Sequence, residues 1–253
     1  GRNINKNCGA IDTRGLAKKI LDVKADIGFA FELETDSLSN SMGKFLPRRS
    51  LYIVTGKIGA GKSLIAQRLA YGLVANGVRT TLITTELTTR GWLEQVNSLG
   101  YPLEDATQSG NFTLLSRFGV ISDEVEGNVD IEDILTSEAL QHADISIIDR
   151  ASTILQHYEG LPDQLLSRLR AFCAEGRSLM LLLDPEELSS EMMRTLSASA
   201  EVALEMRTSE IGGGLSRILA VTRFLRAAGP VQPRIGWRVE PSMGFIVDIT
   251  AVS

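Results

Sequence analysis

Residues Gly56 to Ser63 read Gly-Lys-Ile-Gly-Ala-Gly-Lys-Ser and satisfy G-x-x-x-x-G-K-[ST], the pattern of a phosphate-cradling loop. Each fixed position has a chemical task. Glycines let successive backbone N–H groups curve around an anion, and the helix that follows adds partial positive charge at its N-terminus. Lys62 reaches the β- and γ-phosphates, and the Ser63 hydroxyl serves a Mg²⁺ ion. The residues expected around the phosphates are Gly56, Lys57, Ile58, Gly59, Ala60, Gly61, Lys62, Ser63 and Leu64. A chance glycine-rich turn before a buried helix is the plainer alternative, and the flanks speak against it. Before the loop stands the apolar, β-branched run Leu51, Tyr52, Ile53 and Val54; after it Leu64, Ile65, Leu69, Ala70, Leu73 and Val74 recur at helical spacing. Pattern and context together imply a nucleoside triphosphate.

Three further positions have the right chemistry to join that ligand. Asp149 ends the apolar strand Ile145–Ile148, where a phosphate-loop enzyme places a second Mg²⁺-organising carboxylate, so Ser63 and Asp149 are the expected metal-side residues. The competing reading is an acid that merely opens a surface loop. Glu86 lies just past the strand Thr80–Thr84, at the tip of a strand expected next to the phosphate loop, where it can polarise an attacking water. The residues alone leave it open between that role and an exposed helix-capping glutamate. Arg223 and Arg226 belong to a stretch from Ile211 to Val239 that contains Arg217, Arg234 and Arg238 and no acid. Such a stretch either supplies arginine fingers to a neighbouring subunit's γ-phosphate or is the solvated basic face of a hairpin. The opposite bias runs from Phe118 to Asp149, where Asp123, Glu124, Glu126, Asp130, Glu132, Asp133 and Glu138 meet no Lys or Arg. His142 and His157 have no partner pattern and read as structural.

Positioning these groups requires alternating strands and helices, and the chain supplies them. The loop helix ends at Asn76-Gly77; strand Thr80–Thr84, a helix near Trp92–Leu99, a strand over Phe112–Phe118 and a helix after Asp130 follow. Then come the strand into Asp149, a helix opened by Pro162, and strand Leu179–Leu183. Asp184-Pro185-Glu186-Glu187 resembles the capped start of another helix. This alternation predicts an α/β fold with a mainly parallel sheet flanked by helices. Past residue 200 the short runs Val202–Met206, Ile218–Leu225, Ile235–Val239 and Phe245–Ile249 are separated by glycine turns and predict antiparallel β-hairpins at one edge. Residues 1–35 read as an N-terminal extension with one short amphipathic helix around Leu16–Val23, residues 35–50 as a loop, and 36–253 as the nucleotide-binding domain.

Composition narrows the function. The 253 residues, 43% of them hydrophobic, suffice for one domain with a sizeable core. The net charge of −5, from 31 acids against 26 bases, disfavours nucleic acid as a partner, because phosphate contacts demand a basic face. Cys8 and Cys173 lie far apart, form no metal spacing and suit a reducing cytoplasm as inert thiols. The apolar run at Leu179–Leu183 is far below the roughly 20 residues of a membrane span, and the polar N-terminus carries no signal-peptide pattern. A cytoplasmic protein is expected.

The segment Thr84-Thr85-Glu86-Leu87-Thr88-Thr89-Arg90-Gly91-Trp92 resembles a stretch of the archaellum accessory ATPases of the FlaH type, single-domain relatives of KaiC among the RecA-like ATPases. Leu181-Leu182-Leu183-Asp184-Pro185, Glu210-Ile211-Gly212-Gly213 and the ending Arg238-Val239-Glu240-Pro241-Ser242-Met243-Gly244-Phe245-Ile246-Val247 extend the likeness from about residue 36 to the C-terminus. The resemblance implies a RecA-like phosphate-loop core, ATP and Mg²⁺ as ligands, and a homo-oligomeric ring, a hexamer, with nucleotide near the subunit boundaries. It implies a cytoplasmic motor component, peripheral at the inner face of the membrane. Its partners would be the secretion-type motor ATPase and other cytoplasmic motor parts beneath a membrane platform protein. Residue by residue, Lys62 and Ser63 hold phosphate and Mg²⁺, Asp149 is the Walker B acid, and Glu86 matches the catalytic glutamate; Arg223 and Arg226 align loosely with trans-acting cations. Leu87 stands where KaiC clock proteins carry a second Glu, so the expected activity is ATP binding with slow hydrolysis that gates assembly; Arg150 follows the Walker B acid where a Ser is commoner. An actively hydrolysing ATPase or autokinase is the second expectation, and a RecA-type DNA recombinase, disfavoured by the acidic balance, the third.

Overall fold

The computed structural model describes residues 28–119, 130–211 and 214–248. The helix expected near Leu16–Val23 and the acids Asp123, Glu124 and Glu126 lie outside the described residues. Eleven strands are described: β1 (Phe29–Ala30), β2 (Phe45–Leu46), β3 (Leu51–Thr55), β4 (Thr80–Thr84), β5 (Phe112–Ser116), β6 (Ile145–Asp149), β7 (Ser178–Leu183), β8 (Val202–Ile211), β9 (Gly214–Phe224), β10 (Arg234–Glu240) and β11 (Gly244–Val247). The helices are α1 (Leu38–Ser41), α2 (Lys62–Ala75), α3 (Thr89–Ser98), α4 (Glu104–Gln108), α5 (Ile131–Thr136), α6 (Glu138–Gln141), α7 (Ser152–Leu155), α8 (Pro162–Ala174) and α9 (Ser190–Ser199).

Nine strands form one sheet in the order β11-β10-β9-β8-β3-β7-β6-β4-β5, while β1 and β2 pair separately. From β8 to β5 the neighbours are parallel; from β8 to β11 they are antiparallel. The alternation of the apolar strands explains why. In β3, Tyr52 and Val54 enter a core with Ile65, Leu69 and Leu73 of α2, whereas Leu51 and Ile53 enter a second core with Leu165, Leu169 and Phe172 of α8. Both faces are covered by helices, so the parallel strands must be apolar throughout. In the antiparallel part the large buried side chains, Leu219, Ile235, Trp237 and Phe245, join the core with α2.

Several expectations need correction. The first of the four C-terminal runs is not a hairpin arm alone: β8 pairs in parallel with β3 before it pairs antiparallel with β9. The expected loop 35–50 contains α1 and β2 and buries Leu38, Met42 and Leu46 completely. It is ordered by an ion pair that composition does not announce: Asp36 accepts from Arg68 Nε at 2.7 Å and Nη2 at 2.8 Å, both side chains fully buried. The third guanidinium nitrogen donates to the Phe31 carbonyl at 2.8 Å, so every arm of the buried charge has an acceptor. Phe29 and Phe31 themselves sit in the core. The helix after Asp130 breaks at Ser137, whose ψ of 143° is extended, giving α5 and α6. Asp184-Pro185-Glu186-Glu187 caps no helix; α9 starts at Ser190, with the Ser189 side chain accepting from the Met192 N–H.

Candidate nucleotide site

Because β3, β7, β6 and β4 run parallel, their carboxyl ends open on one edge of the sheet, where α/β folds bind ligands. Four short segments meet there: the loop after β3, Asp184 after β7, Asp149-Arg150 at the end of β6, and Thr85-Glu86 after β4. The cleft they form is lined by Lys57, Ile58, Gly59, Gly61, Lys62, Ser63, Leu64, Glu86, Asp149, Arg150 and Asp184. Gly56 and Ala60 are part of the loop but are buried beneath it.

The loop turns where two glycines adopt positive φ, Gly59 at 81° and Gly61 at 95°. Gly61 is doubly constrained, since a Cβ there would stand 2.5 Å from the Trp237 ring. Gly61 is also the N-cap of α2, which has no side-chain cap. The first-turn N–H groups are thus left for an anion. Lys62 is nearly buried; its ammonium donates to the Gly56 carbonyl, to the Lys57 carbonyl at 3.1 Å, and lies 3.6 Å from Asp184. The Ser63 hydroxyl donates to Asp149 Oδ1 at 3.0 Å. Asp149 is 4% exposed, and burial pushes its carboxyl up to about 6, with the Ser63 bond opposing, Glu86 adding to the rise and Lys62 opposing.

Glu86 lies in the cleft but not on a strand neighbouring β3, as the sequence reading expected. β7 and β6 intervene, and β4 is the neighbour of β6. Glu86 therefore approaches from the Asp149 side, and its carboxylate accepts from Arg150 Nη1 at 2.7 Å. Arg223 and Arg226 do not reach the phosphate loop of their own chain. Strand β9 is antiparallel to β8, so its end lies at the amino edge of the parallel strands. There Arg223 donates to the Ala198 carbonyl, and Arg226 to the Arg48 carbonyl and the Ser50 hydroxyl. From the basic C-terminal stretch it is Arg217 that approaches the loop, 5.7 Å from the centre of the Trp237 ring that backs Gly61.

Sequence reasoning missed Asp184 and Glu187 as site residues and saw Arg150 only as a departure from a pattern. A signal existed for Asp184: it directly follows the apolar run Leu179–Leu183, much as Asp149 closes the mostly apolar strand β6, and parallel neighbours bring two such ends together. Cys173 is buried, and that burial raises its thiol to about 12, as befits an inert cysteine.

The donor set suits Mg²⁺ with a triphosphate. Among the described residues no group of three or more His, Cys, Asp or Glu could hold a metal alone. One hydroxyl and one carboxylate are what Mg²⁺ takes from protein when phosphate oxygens and waters complete its shell.

Residues 35–222 match the family described as "ATPase: KaiC". The chain is 29% identical over 224 residues to the archaeal flagellar ATP-binding protein FlaH of Methanococcus voltae, covering 88% of this chain and 97% of that one. It is 28% identical to the FlaH of Methanocaldococcus jannaschii, with 88% and 96% covered. The crystal structure of that flagellar accessory protein superposes with a TM-score of 0.80 at 26% identity over 87% of this chain and 98% of that one. A KaiC-like protein of Pyrococcus horikoshii shares the fold at a TM-score of 0.67 and 16% identity, over 88% and 97% of the two chains.

Proposed function

Since the chain belongs to the KaiC family of ATPases, we propose that it binds Mg-ATP in this cleft and acts as a nucleotide-gated component of an archaeal flagellar motor, with slow hydrolysis as the reset. The observation that carries the ligand is the convergence of Lys62, Ser63 and Asp149 on the uncapped start of α2. The flagellar setting is supported by the likeness to FlaH proteins along nearly their whole length.

Each side chain has a definite task in this reading. The Lys62 ammonium exchanges its carbonyl acceptors for phosphate oxygens, a stronger charge-assisted contact. Ser63 and Asp149 would hold Mg²⁺, which would neutralise phosphate charge when bound. Glu86 accepts a proton from water as the water oxygen bonds to the γ-phosphorus; the bond to the β,γ-bridging oxygen breaks, giving ADP and phosphate. The difference in affinity for nucleotide between free and assembled states is what gates assembly. Ring formation, docking on a secretion-type motor ATPase and a position beneath a membrane platform belong to the same proposal. Among the described residues no helix is long and apolar enough to cross a membrane.

The test compares wild type with Lys62→Ala by calorimetry and by pull-down of the motor ATPase, with and without Mg-ATP. The variant should lose about ten- to a hundredfold in ATP affinity and should no longer respond to nucleotide in the pull-down. Equal behaviour of the two proteins rejects the gate. A second reading, a steadily turning-over ATPase, is favoured by one observation, the place of Glu86 in the cleft. It requires measurable steady-state hydrolysis that Glu86→Gln abolishes.

A further inference from the structure

Arg150 follows Asp149 with φ at 54°, in the left-handed region that non-glycine residues seldom adopt. The guanidinium joins groups carried by the ends of three neighbouring strands. Nε and Nη2 donate to Glu187 Oε1 at 3.2 and 2.6 Å, while Nη1 donates to Glu86 Oε1 at 2.7 Å. The second oxygen of Glu187 accepts from the Ser152 hydroxyl, which in turn accepts from the Asp184 N–H at 3.2 Å. One side of Arg150 is therefore anchored: the Glu187 side chain is 19% exposed and tied to the strand carrying Asp184. The other side presents a single N–H to Glu86, whose side chain is 43% exposed.

We propose that Arg150 is a positioning residue that turns Glu86 away from the attacking water, so that release of this contact sets the rate of ATP hydrolysis. The inference rests on Glu86 being the proton acceptor. A carboxylate oxygen that accepts from a guanidinium has to give up that bond before it accepts from water, and the bond is charge-assisted. Partial exposure keeps it exchangeable. The planar fork of arginine, fixed on Glu187, also dictates the direction in which Nη1 points, which a lysine ammonium would not. The anchor thus acts as a stop that holds Glu86 until rearrangement at the edge of the sheet frees it.

The experiment measures kcat and KM for ATP, with single-turnover assays where steady-state rates are low, in the full chain carrying Arg150→Asn, Glu86→Gln or both. Asparagine tolerates a left-handed backbone and removes the guanidinium; Arg150→Gln replaces it if Arg150→Asn does not fold. The removal of Arg150 should raise kcat about threefold or more. KM should stay within about twofold, which a general loosening of the site would not respect. The rise should vanish in the Glu86→Gln background. An unchanged or lower kcat, with Glu86→Gln still costing about two to four decades, overturns the restraint while leaving Glu86 as the base. A rise that survives in the double variant overturns it too, since Arg150 would then act elsewhere. If Glu86→Gln by itself leaves the rate untouched, the reading of Glu86 as the base fails and the restraint with it.

Discussion

At the scale of single residues, Asp149 shows how burial writes a pH dependence into the site. Its carboxyl is raised to about 6 chiefly by desolvation, against an ordinary value of 3.8. The folded chain therefore takes up this proton more readily than the unfolded chain. The stability it contributes is fully present below the ordinary carboxylate value and is lost as pH rises through about 6. Without nucleotide, Asp149→Asn should melt higher than wild type at neutral pH, and the gap should close as pH falls towards about 4. Under the proposed function ligand binding runs the other way, because a Mg²⁺ held by Asp149 would need the ionised carboxylate. Mg-ATP affinity of the wild type should fall below pH of about 6, with proton release on binding near that pH. Calorimetry in buffers of different ionisation enthalpy reads that proton directly; Asp149→Asn should show none of it.

At the scale of elements, α2 is held at both ends of its task. Its N-terminus needs Gly61, where Ala would face both a φ of 95° and the Trp237 ring at 2.5 Å. Gly61→Ala should cost about 1–3 kcal/mol in denaturant unfolding and abolish nucleotide binding, because the loop or the indole must move. Further along, Arg68 ties α2 to the segment before α1 through Asp36, with both side chains fully buried. Asp36→Ala leaves a buried guanidinium without its carboxylate, and urea titration should show a loss of about 3–5 kcal/mol. A loss under 1 kcal/mol would mean that water reaches the pair. The same bond explains why residues 35–50, polar enough to read as a loop, fold into the body. Polarity described the backbone turns, but an ion pair between residues 32 positions apart decided their burial.

At the scale of the molecule, the sheet separates two charged edges. The carboxyl edge holds Lys62, Asp149, Glu86 and Arg150; the amino edge near β9 holds Arg223 and Arg226. Within one chain these arginines cannot meet the nucleotide, so a catalytic role for them requires a neighbour. Among the described residues the Arg223 side chain donates to the Ala198 carbonyl at the surface, and it suits the test. Light scattering with Mg-ATP should give a larger complex than without it. Arg223→Ala should bind ATP as wild type does but hydrolyse it no faster in the complex than as separate chains. Equal stimulation in the variant and the wild type would return Arg223 to an ordinary solvated hairpin residue.

The amino-acid order alone determined the glycine loop Gly56–Ser63, the strand end at Asp149, the place of Glu86 just past a strand, and the alternation that makes a parallel sheet. All of these are local: a glycine spacing, a run of β-branched residues, a 3.6-residue repeat. Strand order is not local. Placing β7 between β3 and β6 made Asp184 a partner of Lys62, turned an apparent helix cap into a pair of site acids, and brought Glu86 in beside Asp149. The strained turn at Arg150 and the remote position of Arg223 and Arg226 likewise follow from pairings between distant segments. Contacts of that kind depend on which apolar faces pack together across the whole chain, and no window of neighbouring residues contains that information.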